Sequence, residues 1–270
     1  MTNCFIVVVN KAYRGYVPLY VYFALRAYPE SFVRVYYLDN EDGLGEDVSR
    51  LVNSPNWSIE CSYKMDYPRH ADELKTLRWV LYDDVIKGFD TVYIGDVDIP
   101  LSIETPGLID EHLRHCDFLG LPYSNVWRMT GGQKQNRASG LHFIKVKEYF
   151  EVMLPVIEKY DSLLRNGKLH KVNNEMTLFR MLTEADIGVG AWESANFDQA
   201  SSNPEKLCYR PHHGLHLRVF DYPNKQILES GIYREYGQDF LLAVEENPRI
   251  IEGLPDSVLR QVKKAMSRFK

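Results

Sequence analysis

Phe5-Ile-Val-Val-Val9 is a short β-branched run, which predicts a buried strand. The stretch after Gly15, Tyr16 to Tyr28, predicts a helix that breaks at Pro29. Phe32 to Leu38 then predicts a second strand ending at Asp39-Asn40. Leu74, Leu77, Leu81 and Val85 recur at helical spacing with Lys75, Arg78 and Asp83 off that stripe, and Gly88 ends the helix they predict. Thr91 to Ile94 predicts a third strand that runs into Gly95-Asp96-Val97-Asp98. Such alternation argues for an α/β domain with a largely parallel sheet. Ligands of these sheets bind off the carboxyl ends of the strands. Asn10, Asp39 and Asp96 each lie just past a strand end, so the pattern alone gathers them on one rim.

The second half is less regular. Asp117 to Leu121 predicts a strand, Trp127 to Arg137 a polar, glycine-containing loop, and Leu141 to Ile144 another strand. Helices are expected around Tyr149 to Leu164 and over Glu175 to Leu182, followed by a long loop-rich stretch from Asp186 to Pro211. Residues 257–270 carry Arg260, Lys263, Lys264, Arg268 and Lys270 and no acid. Val258, Val262, Met266 and Phe269 share one face there, and Pro255-Asp256-Ser257 makes a sound helix start. Such a basic amphipathic helix either lies on an anionic membrane surface or packs on its own domain.

Composition narrows the classes. A chain of 270 residues with 45% hydrophobic and 26% charged residues is long enough for one large domain and is not disordered. The 32 basic against 37 acidic residues leave a net charge of −5, which argues against a nucleic-acid partner. The 18 tyrosines suit ring stacking on a sugar or a core with hydroxyl-tipped edges. Cys4, Cys61, Cys116 and Cys208 stand singly, so there is neither a zinc knuckle nor a dithiol motif. The longest uncharged apolar stretch, Tyr16 to Leu25, is interrupted by Pro18 and falls short of the roughly 18 residues of a spanning helix. No basic segment precedes Phe5, so the expectation is a cytoplasmic protein in which the sequon Asn56-Trp57-Ser58 is incidental.

The sharpest chemical signal is Asp96-Val97-Asp98. Two carboxylates two residues apart on an extended segment point the same way, which suits a hard divalent cation bound through oxygen. Gly95 lets backbone or ligand approach closely.

The segment Phe89 to Leu101, with Ile94-Gly95-Asp96-Val97-Asp98 at its centre, resembles the strand and D-x-D turn of GT-A glycosyltransferases. The likeness is closest to family 8 and similar bacterial glycan enzymes. In that family the turn chelates manganese or magnesium, which holds the diphosphate of a nucleotide-sugar. The preceding helix often carries an arginine facing the donor, and Arg78 stands close to the matching place. Asn136 to Ile144, with Ser139-Gly140, resembles the family's small-residue strand lining the sugar pocket. Val172-Asn173-Asn174-Glu175 resembles its acidic segment near the acceptor. Pro211 to Arg218 resembles its late H-x-x-G-x-x-K segment, whose histidine completes the metal site, although the spacing of Gly214 and Arg218 departs from that pattern.

The resemblance spans roughly residues 4 to 220 and implies a GT-A enzyme of one domain. Residues 1–100 would be the nucleotide-binding half, 101–256 the sugar and acceptor half, and 257–270 the basic helix. Asp96, Asp98 and His213, with His216 and His212 as neighbours, would bind the metal. Asn10 and Asp39 would meet base and ribose, and Arg78, Asp96, Ser139 and Gly140 the nucleotide-sugar. Glu175 would deprotonate the acceptor hydroxyl in an inverting enzyme, or only orient it in a retaining one. The acceptor would be a glycan or a lipid-linked molecule.

Plainer roles stand beside these. Asn10 and Asp39 suit turns after strands, Glu175 suits the first turn of a helix, Arg78 a solvated helix face, and Trp192 simple packing. A HAD-type phosphatase also uses D-x-D after a strand, but it opens the domain with that strand and wants Thr or Val where Pro100 stands. A sugar nucleotidyltransferase would show a Gly-rich basic loop, of which Asn10 to Gly15 is a poor version. A non-catalytic nucleotide-sugar binder would not need both Asp96 and Asp98.

Overall fold

The computed structural model describes residues 1–64, 66–67, 71–125, 127–130, 133–169, 173–188, 214, 217 and 231–269. The expected sites His212, His213, His216, Arg218 and Trp192, and most of the stretch from Asp186 to Pro211, lie outside the described residues. In chain order the elements are β1 (Asn3–Val9), α1 (Val17–Ala27), β2 (Phe32–Tyr37), α2 (Leu44–Ser49), β3 (Trp57–Glu60), α3 (Ala71–Thr76), α4 (Asp84–Lys87) and β4 (Thr91–Ile94). They continue with α5 (Leu108–Leu119), β5 (Tyr123–Ser124), β6 (Trp127–Thr130), β7 (Gln133–Ala138), β8 (His142–Lys145), α6 (Val146–Arg165), α7 (Asn174–Glu184), α8 (Gly231–Glu246) and α9 (Asp256–Phe269).

The chain divides into two compact, interleaved units. The first takes Met1–Val8, Lys64–Gly95 and Thr105–Pro211. Its strands run in the order β1-β4-β8-β5. Cys4, Phe5, Ile6 and Val7 of β1 are at most 1% exposed, so both faces of the strand are covered and the apolar run is continuous rather than alternating. β1 and β4 are parallel, as expected, with Asn3 opposite Thr91 and Ile6 opposite Ile94. β8 runs antiparallel to both β4 and β5. α6 covers the helix expected around Tyr149 to Leu164, burying Tyr149, Phe150, Met153, Val156, Ile157, Tyr160 and Leu164 along one face.

Three predicted elements of this unit differ. The stripe from Leu74 to Val85 is not one helix. α3 passes into a 3₁₀ turn over Leu77–Val80, Leu81 is extended with ψ 122°, and Asp83 caps the new helix α4 by accepting from the Ile86 N–H at 2.9 Å. Leu77, Trp79, Val80 and Leu81 are all at most 3% exposed, and no single face of an α-helix can bury so nearly consecutive a set. Asp117 to Leu121 is the end of α5, not a strand. Gly120 at φ +65° closes that helix, and Leu121 N–H reaches back to the Cys116 carbonyl at 3.0 Å. Trp127 to Arg137 is a hairpin rather than a loop, with β6 antiparallel to β7 and Trp127 opposite Ala138. Backbone pairing holds it, so its polar composition concealed it.

The second unit takes Val9–Tyr63, Asp96–Glu104 and His212–Lys270. β2 runs parallel to β3, a strand the apolar pattern did not announce, with Val33 opposite Trp57 and Tyr36 opposite Glu60. Phe23 of α1 stacks on Phe240 of α8 with centroids 5.3 Å apart, and Arg26 donates to Asp239 at 3.0 Å. A Cβ built on Gly15 would stand 1.7 Å from the Gly253 carbonyl oxygen, so these backbones touch only because residue 15 is glycine. The basic helix forms as α9, with Val258 6% and Val262 0% exposed. No helix of the described residues is long and apolar enough to cross a membrane.

Candidate functional site

Within the second unit, the residues that follow β1 and β2 meet. Leu38 N–H donates to the Val9 carbonyl at 2.9 Å, and Lys11 N–H donates to the Asp39 carboxylate at 2.6 Å. Asp39 is held again through its own carbonyl, which accepts from Ser62 N–H at 2.9 Å. The Asn10 carbonyl accepts from Tyr13 N–H at 3.0 Å and starts the 3₁₀ turn Lys11–Tyr16. Its side-chain Oδ1 is buried and finds no partner among the described residues. A buried acceptor normally has a donor, so this atom fits an N–H or O–H of a bound molecule. The expected pair of Asn10 and Asp39 is thus brought together by Lys11, a residue the sequence did not single out.

Asp96 and Asp98 belong to the same unit. The Asp96 carbonyl accepts from Ile99 N–H at 3.1 Å, which closes the turn. Asp96 is half-buried, and Asp98 is 8% exposed between Val97 and Ile99, themselves 8% and 2% exposed. A carboxylate so enclosed needs positive charge or donors around it. Backbone contacts join this turn to Gly214 and Leu217, which neighbour the expected histidines in the sequence. The Asp98 carbonyl accepts from Leu217 N–H at 3.0 Å, and Leu101 bridges antiparallel to Gly214. A Cβ on Gly214 would stand 2.1 Å from the Pro100 carbonyl oxygen, so only glycine permits that approach. His213 is the residue before Gly214 and lies outside the described residues. Among the described residues, no group of three or more His, Cys, Asp or Glu is placed to hold a metal.

The remaining expected residues belong to the first unit. Arg78 lies in the 3₁₀ turn, half-buried, with its guanidinium 4.6 Å from the Trp79 ring centroid. Trp79 Nε1 donates to the Asn174 carbonyl at 2.9 Å. Ser139 and Gly140 are buried, and the Asn125 carboxamide clamps Ser139 from both sides, accepting from its N–H at 2.8 Å and donating to its carbonyl at 3.3 Å. The other Asn125 amide hydrogen points to His142 Nδ1 at 2.9 Å, so His142 carries its proton on Nε2, which faces the Tyr149 hydroxyl at 3.2 Å. Burial holds His142 well below the ordinary histidine range, at about 3.

Glu175 stands in the first turn of α7, below the Asn173 cap, which accepts from Glu175 N–H at 2.9 Å and Met176 N–H at 3.3 Å. Arg137 Nε lies 3.1 Å from the Glu175 carboxylate, an ion pair without hydrogen-bond geometry. Asn125, Arg137 and His142 were missed because nothing in their spacing shows what they touch. A Gly131-Gly132 pair between extended segments was the sequence signal for the hairpin that brings Arg137 to Glu175.

The architecture is mixed α/β, with each expected residue after β1, β2 and β4 at or just beyond a strand end. No protein-family model matches the chain, and no curated protein matches it. Solved structures similar to it include galactosyltransferase LgtC in complex with donor and acceptor sugar analogues, at 15% identity and a TM-score of 0.36 over 65% of this chain and 69% of that one. The bifunctional glycosyltransferase WbbM is similar at 12% identity and a TM-score of 0.43 over 68% of this chain and 37% of that one. Glycosyltransferase GlyE of Streptococcus pneumoniae TIGR4 is similar at 12% identity and a TM-score of 0.43 over 100% of this chain and 64% of that one.

Proposed function

We propose that this chain is a GT-A glycosyltransferase that moves a sugar from a nucleotide-diphosphate donor, a UDP-sugar by preference, to a hydroxyl of a glycan or lipid-linked acceptor in cell-surface or other glycan assembly. One observation carries the reading: the Asp96-Val97-Asp98 turn leaves a buried strand and is bonded through Asp98 to Leu217, in the same unit as Asn10 and Asp39. Two carboxylates in a braced turn fit a hard cation such as manganese or magnesium, with further oxygens from a diphosphate and a nitrogen from His213 completing the set. When bound, that ion would supply positive charge to the departing nucleoside diphosphate.

The chain's own residues divide the remaining work. Asn10 Oδ1 accepts from an N–H of the base and Asp39 from a ribose hydroxyl. Arg78 adds fixed positive charge toward the phosphates. Ser139 and Gly140, held by Asn125, line the sugar, and Glu175, paired in charge with Arg137, receives the proton of the acceptor hydroxyl or orients it. The test is turnover: UDP- and GDP-sugars incubated with manganese should release nucleoside diphosphate, and chelation should stop the release. Hydrolysis of p-nitrophenyl phosphate with no nucleotide-sugar turnover would favour the phosphatase instead.

The same proposal includes contact of α9 with an anionic membrane. Because Val258 and Val262 face inward, contact would come from the exposed Arg260, Lys263 and Lys264 and be electrostatic, without insertion. Co-sedimentation with phosphatidylserine vesicles should fall steeply with salt and be lost when residues 257–270 are removed. Unchanged sedimentation after that truncation would discard it.

A further inference from the structure

We propose that Arg14 is a positioning residue for the nucleotide, acting through the loop that carries Asp39. The inference rests on the nucleotide-binding reading above. From Asp39 to Asp47 the chain places Asp39, Glu41, Asp42, Glu46 and Asp47. So acidic a segment repels itself and any phosphate ligand nearby. One guanidinium answers two of these charges. Arg14 Nε donates to the Asp42 carboxylate at 2.7 Å, and Nη2 reaches the Asp42 carbonyl at 3.0 Å and the Asp47 carboxylate at 2.7 Å. Asp42 also accepts from the Tyr37 hydroxyl at 3.2 Å. The Asp42 carboxyl is accordingly held below the usual carboxylate range by its bond to Arg14.

Geometry links this clamp to the ligand groups. Arg14 and Lys11 belong to one 3₁₀ turn, from which Lys11 presents its backbone N–H and Arg14 its side chain to the same loop. Lys11 holds Asp39 at 2.6 Å, while Arg14 holds Asp42 and Asp47 farther along the same loop. Glu41, between them, is pinned by Cys61 Sγ at 2.8 Å and Gly43 N–H at 2.9 Å. Arg14 therefore sets the loop against the turn that begins at Asn10, and so sets Asp39 against Asn10. A lysine, a point charge without the planar fork, cannot span both acids and the carbonyl. Behind Arg14 is a cavity of about 540 Å³, also lined by Asp47, Arg50, Arg249 and Gly253. It has room for a free guanidinium ion to reach the place of a truncated side chain.

The experiment is calorimetric titration of UDP and of GDP, each with manganese, into wild-type protein, Arg14→Lys and Arg14→Ala, the last with and without millimolar guanidinium chloride. Arg14→Ala should weaken nucleotide binding about ten- to a hundredfold, the loss of one hydrogen bond to a charged group, that of Asp39 with the ligand. Arg14→Lys should recover little of that loss, and guanidinium should restore most of it to Arg14→Ala while leaving the wild type unaffected. Wild-type affinity in Arg14→Ala overturns the inference, as does a loss that guanidinium does not touch. If Arg14→Ala does not fold, Asp42→Asn takes its place, and its binding the nucleotide as tightly as wild type overturns the inference equally. A folded wild-type protein that binds neither nucleotide overturns the functional reading, and the inference with it.

Discussion

Asp98→Asn is expected to reduce sugar transfer on the order of a thousandfold, because a metal acting as Lewis acid contributes several kcal/mol at the transition state and each 1.4 kcal/mol is about tenfold in rate. The change removes charge and almost no volume. Asp98 is 8% exposed beside Val97 and Ile99, and the isosteric amide fits the same space, so the variant should still fold and melt cooperatively. The backbone bond from Leu217 to the Asp98 carbonyl does not depend on the side chain and should survive. Turnover assays and thermal melts on the same preparation separate the two effects. Transfer within threefold of wild type would show that Asp98 holds no ion that matters to the chemistry.

Acid should destabilise the protein steeply, and the cause lies in the first unit. His142 is 0% exposed and His115 is 2% exposed, and burial pushes each down to about 3. In the unfolded chain both would titrate near about 6.5. Their folded values are depressed, so the stability they permit is present above pH 6.5 and is lost as pH falls toward 3. For two such groups the loss between pH 7 and pH 5 amounts to about 4 kcal/mol, a large share of a typical domain's 5–15. The surroundings explain why neither accepts a proton readily. His142 Nδ1 already accepts from Asn125, and its ring lies among Trp79, Tyr123 and Tyr149. His115 and His112 share the single hydroxyl of Ser124, each with Nδ1 at 2.7 Å, so one accepts its proton and the other donates to its oxygen. Urea unfolding at the two pH values checks the expectation, and equal midpoints would contradict it. Because Asn125 also clamps Ser139, the region around Ser139 and Gly140 should be the first to lose order as pH falls.

The sequence was most informative where one side of an element is apolar. β1, β2, β4, β8 and α9 follow the runs and the stripe that predicted them, and α1 and α6 fall where helices were expected, since burial selects those positions directly. It was least informative where backbone geometry decides. The hairpin of β6 and β7 is polar, β3 is four residues long, and α5 closes on a left-handed glycine that reads equally well as a turn before a strand. The candidate site divides the same way. The positions of Asn10, Asp39, Asp96 and Asp98 just past strands could be read from the sequence, and the contacts that hold the candidate residues could not. Lys11 on Asp39, Arg14 on Asp42 and Asp47, Arg137 on Glu175, and Asn125 on Ser139 are contacts between residues far apart in the chain or hidden within a turn. Spacing carries no record of them.

The central claim, that Asp96 and Asp98 hold a cation which in turn holds a nucleoside diphosphate, is tested most directly by calorimetric titration of UDP, then GDP, into the folded protein with manganese and again with chelator. The account predicts saturable binding of one nucleotide that needs the metal and disappears in Asp98→Asn. Binding of equal strength with chelator present, or binding unchanged in Asp98→Asn, would contradict it.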